Sequence, residues 1–86
     1  MNILNISGYK FIAIQDPKLL QVELMRMGRA LNLKGTILIS AEGINMNLAG
    51  EPSALLQFCR QLGEDPCFAD MVYKESYTDF MPFQRF

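Results

Sequence analysis

A four-stranded antiparallel sheet with two helices packed on one of its faces is the α+β architecture that this 86-residue sequence predicts, and three observations carry it. Two segments space their apolar residues at helical intervals, and each opens on a proline. Four others read as strands, with "GTILIS" and "INMNLA" separated by only "AEG". The order is strand, helix, strand, strand, helix, strand. Burying two amphipathic helices in that order is achieved by laying both on the same side of one sheet.

The elements follow in turn. "GYKFIAI", Gly8 to Ile14, is aromatic and β-branched and ends at "QDPK", as a strand does. Asp16 then caps a helix that Pro17 opens, because proline at the first helical position loses no hydrogen bond. The helix is predicted to run to about Asn32, with Leu20, Leu24, Met27 and Leu31 on one face and Gln21, Glu23 and Arg29 on the other. "GTILIS", Gly35 to Ser40, is the second strand. In the third, Ile44, Met46 and Leu48 point inward, while Asn45, Asn47 and Ala49 point outward. Gly43 serves the turn between them. The second helix opens near Glu51 and Pro52 and stops at Gly63, with Leu55, Leu56, Cys59 and Leu62 as its stripe. "EDPCFAD" is a loop, "MVYKESY" a fourth strand and "TDFMPFQRF" an aromatic tail. The result is a ferredoxin-like (acylphosphatase-like) β-α-β-β-α-β sandwich in a single domain, residues 1–86, whose other sheet face stays open.

Composition narrows the chemistry. Hydrophobic residues make up 50% of the chain and charged ones 20%, a globular balance. A net charge of −1 supplies no overall field for a polyanion, so nucleic-acid contact requires a local patch. There is no histidine, and the two cysteines, Cys59 and Cys67, lack a CxxC spacing. Zinc sites, Cys-His pairs and His-based serine catalysis are thereby disfavoured, and neither metal nor cofactor is expected. Cys59 falls in an apolar stripe, and Cys67 follows an acidic pair, a poor setting for a thiolate nucleophile. No signal peptide or membrane span is read, so a cytoplasmic location is expected.

The best candidate for a site is "AEGIN". Glu42 at a hairpin tip is in the first instance a solvated carboxylate, and Gly43 a backbone requirement. Asn45 and Asn47 belong to the polar face of their strand. Acylphosphatases share this topology, but they cradle phosphate in a glycine-rich loop ending in arginine after the first strand. Here that position reads "IQDPK", and acylphosphatase activity is rejected.

"YKFIAIQDPKLL", "LNLKGTILISAEGINMNLAG", "YKES" and "PFQRF" resemble the N-terminal domain of the rhodanese-domain tRNA uridine hydroxylases, also known as rhodanese-related sulfurtransferases, from Tyr9 to Arg85. That bacterial family implies oxygen-dependent hydroxylation of a tRNA wobble uridine, an oxidoreductase tRNA modification. It also implies a rhodanese domain with a reactive cysteine further along, which this chain lacks. The chain by itself is expected to have no catalytic residue. Its expected role is as an accessory domain that places tRNA or packs on the rhodanese domain. The alternative is a stand-alone interaction module using the open sheet face. The resemblance attaches Glu42, Gly43 and Asn45 to its best-matched motif. It adds Lys74 and Arg85, two cations in shared segments, as tRNA contacts; the competing account is that Arg85 pairs with a carboxylate such as Glu42 and Lys74 is a solvated strand residue.

Overall fold

The computed structural model describes residues 2–86. Its elements are β1 (Ile3–Phe11), α1 (Pro17–Ala30), β2 (Lys34–Ser40), β3 (Gly43–Gly50), α2 (Pro52–Gly63) and β4 (Tyr73–Thr78). All pairings are antiparallel, in the order β2-β3-β1-β4. The predicted ferredoxin-like architecture is the one observed.

Both helices enter as their sequences imply. The Asp16 carboxylate accepts from the backbone N–H of Leu19 at 3.1 Å, satisfying a donor that the first turn leaves free. Leu24 is buried, and Leu20, Met27 and Leu31 pack beside it against the core. In α2, Glu51 makes no side-chain cap, although Pro52 sits at the predicted position. The core gathers Leu4 and Ile6 of β1, Met46 and Leu48 of β3, and Leu55 and Phe58 of α2.

Four expectations need correction. Strand β1 begins at Ile3 and ends at Phe11, five residues earlier than expected at its start, because Leu4 and Ile6 already alternate inward. Beyond Phe11 the backbone still hydrogen-bonds, with Ile12 and Ile14 donating to the carbonyls of Glu42 and Ala41 at 3.0 and 3.1 Å, but the ladder has ended. On α2 the buried stripe is Leu55, Phe58 and Leu62, with Cys59 packed against it as expected, and Leu56 is exposed. In helical projection Phe58 lies nearer than Leu56 to Leu55 and Leu62, so the rotation of α2 that buries those two leucines carries Phe58 in with them. Gln21, assigned to the solvent face of α1, donates instead to the carbonyl of Ile37 at 2.7 Å, occupying an acceptor on the outer edge of β2.

The tail is only an aromatic run in the sequence, and the structure gives it a course. Phe83 lies beside Asn5, Ser7 and Asn47 on the face opposite the helices. The carbonyl of Arg85 accepts from the N–H of Gly35, on the free edge of β2, at 3.1 Å. Phe86 then rests on α1, where a Cβ added to Gly28 would lie 2.0 Å from its ring. The chain therefore returns across one end of the sheet. Ala49 points to that face and is nonetheless completely buried.

Candidate functional site

Strand alternation defines what the uncovered sheet surface presents. Because Leu4 and Ile6 face the helices, Asn5, Ser7, Tyr9 and Phe11 of β1 face away. Pairing brings Asn45 and Asn47 of β3 beside Tyr9 and Ser7, and Leu38 and Thr36 of β2 beside those asparagines. From β4, Lys74 stands next to Ser7 and Ser76 next to Asn5, where the Asn5 amide donates to Thr78 Oγ1 at 3.1 Å. Lys34 pairs with Ala49 and so faces the same way. No strand residue facing this side is a carboxylate. Glu75, the only acidic residue in the four strands, pairs with Ile6 and faces the helices, where its charge reaches Cys59.

The five residues singled out from the sequence do not form one cluster. Glu42 is exposed in the two-residue turn joining β2 to β3, its N–H donated to Ser40 Oγ at 3.2 Å. Gly43 follows it, and a Cβ there would lie 2.2 Å from the carbonyl oxygen of Lys10, so close strand approach accounts for the glycine. Asn45 is exposed on the open face. Lys74 is exposed on β4 and Arg85 lies beyond β2, on opposite edges of the sheet. Three interstrand gaps put those edges roughly 14 Å apart. Arg85 sits at the Gly35 end of β2, whereas Glu42 follows its other end, so the structure does not bring these two together. The carboxylate pairing considered for Arg85 is likewise not found: among the described residues the one ion pair joins Lys10 to Asp70. Lys10 also donates to the Cys67 carbonyl at 2.6 Å, tying the end of β1 to the loop before β4.

The reading of sequence missed Tyr9, Phe11 and Leu38, which border the same depression as Glu42 and Asn45. Its volume is about 580 Å³, and it is broad and shallow. The signal was present in "ILNISGYKF": with the strand started at Ile3, alternation places both rings outward.

Reactive groups are few. Burial pushes the half-buried Cys59 thiol above its ordinary value, and burial, followed by the neighbouring Cys59, raises the Tyr73 phenol strongly. Neither is set up as a nucleophile or base. Among the described residues no three His, Cys, Asp or Glu side chains gather as metal ligands. Backbone N–H groups just after β1, those of Ile12 and Ile14, already donate to the hairpin turn, so an anion has no cradle there. Among the described residues no helix is long and apolar enough to cross a membrane.

A four-stranded sheet of this order, with both helices on one side and an unadorned loop after β1, defines an acylphosphatase-like domain in shape without the phosphate loop. Residues 3–86 match the UPF0176 acylphosphatase-like domain, and the chain belongs to that family. It is 48% identical over 83 residues to the tRNA uridine(34) hydroxylase of Variovorax paradoxus, covering 96% of this chain and 32% of that protein. The protein of the same name from Delftia acidovorans is 48% identical over 84 residues, covering 98% of this chain and 32% of the relative. That from Bordetella avium is 45% identical over 85 residues, with 99% and 35% covered. The chain thus spans about a third of the length of these curated relatives.

Proposed function

We propose that this domain is the tRNA-placing, non-catalytic N-terminal part of a cytoplasmic tRNA wobble-uridine hydroxylase, working in series with a rhodanese domain of the same protein. The observation that carries the reading is the sorting of charge. A domain of net charge −1 keeps carboxylates off the strand residues of its open face and puts Lys34 and Lys74 there. A cation beside each phosphate is what counterion release requires, and a local patch suffices for it. Arg85, on the tail segment that meets the β2 edge at Gly35, adds a third cation near Lys34. That relatives are named tRNA uridine(34) hydroxylases supports tRNA as the polyanion.

Packing on the rhodanese domain is the second part of the role, and a different surface favours it. Leu19 and Val22 of α1 and Leu56 of α2 are exposed large apolar side chains on the outer side of the helix layer. Docking through that layer leaves the sheet face free for RNA.

The test uses the intact protein, as its gene encodes it. Lys74→Ala and Arg85→Ala are expected to weaken tRNA binding, each lowering the dependence of log affinity on log salt by about one phosphate's worth. Urea midpoints should stay near the parent's, since Lys74 and Arg85 are exposed. Parental affinity and salt slope in both variants would mean that these cations do not touch RNA and that the domain's role reduces to packing.

A further inference from the structure

Two cross-strand rows meet at the uncovered end of the sheet. Leu38, Asn45 and Tyr9 lie side by side in one, and Ser40, Gly43 and Phe11 in the next. Gly43 adds no side chain to its row, so the floor beside Phe11 is low. Tyr9 is 69% exposed and Phe11 85%, although they touch edge to face with ring centroids 5.8 Å apart. Rings of this size are normally buried, and two together on one surface with Leu38, itself 65% exposed, mark a place where something binds.

We infer that this is a stacking platform for an unpaired RNA base. Tyr9 and Phe11 offer the ring faces, and Asn45 and Glu42 meet the hydrogen-bonding edge of the base. The inference rests on the tRNA-placing role proposed above and deepens it, because it names single-stranded loop nucleotides, rather than stem phosphates alone, as what the face holds. Aromatic side chains on the exposed surface of a four-stranded sheet stack bases because every base has a π-face. The surroundings complement nucleic acid better than protein. Lysines stand on the same face, asparagines and hydroxyls fill the rows between them, and no strand carboxylate faces that way. Glu42, the one carboxylate bordering the depression, sits at its rim, where it can accept from a base N–H.

The experiment measures binding of the intact protein to two probes at several salt concentrations: a short anticodon stem-loop RNA with unpaired uridine in the loop, and a blunt RNA duplex of the same length. Tyr9→Ala and Phe11→Ala are expected to weaken stem-loop binding by roughly 5- to 100-fold each, the loss of a base stacked on a ring. Neither should change the salt slope, because neither removes a charge. Tyr9→Phe and Phe11→Tyr should retain parental affinity, and the duplex should be indifferent to all four substitutions. Parental stem-loop affinity in both alanine variants, with Lys74→Ala still weakening binding, overturns the platform and leaves the tRNA-placing reading standing. If none of the three matters, both fall. If the alanine variants instead leave RNA affinity intact and make the protein easier to cleave next to this domain, the rings pack on a neighbouring domain and the platform is again overturned.

Discussion

Lys10 shows how much one side chain can organise here. Its ammonium reaches the carboxylate of Asp70 and the carbonyl of Cys67, so it links β1 to the loop that delivers β4. The hydrogen bond from Lys10, then its charge, holds the Asp70 carboxyl below the ordinary carboxylate value. A carboxyl depressed in the folded state contributes stability above its unfolded value of about 3.9, and that contribution is lost as pH falls through the lower folded value. Asp70→Asn is therefore expected to cost stability at neutral pH and to converge with the parent in strong acid. Asp70 is solvent-exposed, so the gap should be small and should shrink further in about 1 M salt. Urea unfolding across that pH range, at two salt concentrations, checks the sign. A gap that widened toward acid would contradict the assignment.

At the scale of elements, the sheet and helices are held by side chains that leave cavities when cut back. Leu24→Ala in α1 and Leu55→Ala in α2 are each expected to destabilise by ~2–5 kcal/mol, because both leucines are buried against the sheet. Phe58→Ala should cost ~3–5 kcal/mol, whereas Leu56→Ala, on the exposed side of the same helix, should stay within ~0.5 kcal/mol. Urea midpoints for the four variants give the comparison. Equal effects at positions 56 and 58 would overturn the rotation of α2 described here. Losses of this size are a large share of the stability of so small a domain.

Over the whole molecule, the tail is what makes the two ends of the open face different. It crosses from β4 to the edge of β2 at the end of the sheet where Ala49 is buried, while Tyr9, Phe11 and Leu38 stay uncovered at the other end. Phe86 anchors it on Gly28. Gly28→Ala sets two effects against each other: alanine favours a helix by about 1 kcal/mol over glycine, but its methyl occupies the place of the Phe86 ring. The methyl cannot fit without moving Phe86, so release of the tail is the expected outcome. The amide of Gly35, which donates to Arg85, should then exchange with solvent faster than in the parent, by hydrogen exchange read residue by residue. Unchanged Gly35 protection would show that the tail is held by contacts other than Phe86.

What the sequence by itself determined about this protein is its local grammar. Helix entries at Pro17 and Pro52, the alternation of Ile44 to Ala49 and the order of elements are written in residue types and short spacings, and these specify the sandwich. The same spacing placed Asn45 on the open face. Other features depended on contacts between segments far apart in the chain. Tertiary packing set the rotation of α2 that buries Phe58 and leaves Leu56 outside the core. It decided that Gln21 serves the β2 edge, because an unpaired carbonyl of Ile37 waited there. It parted Arg85 from Glu42, since the tail meets β2 at the end away from the hairpin turn. Tyr9 and Phe11 were legible as outward-facing strand residues, but that no other segment covers them was not: the tail meets the sheet at its other end and spares those rings.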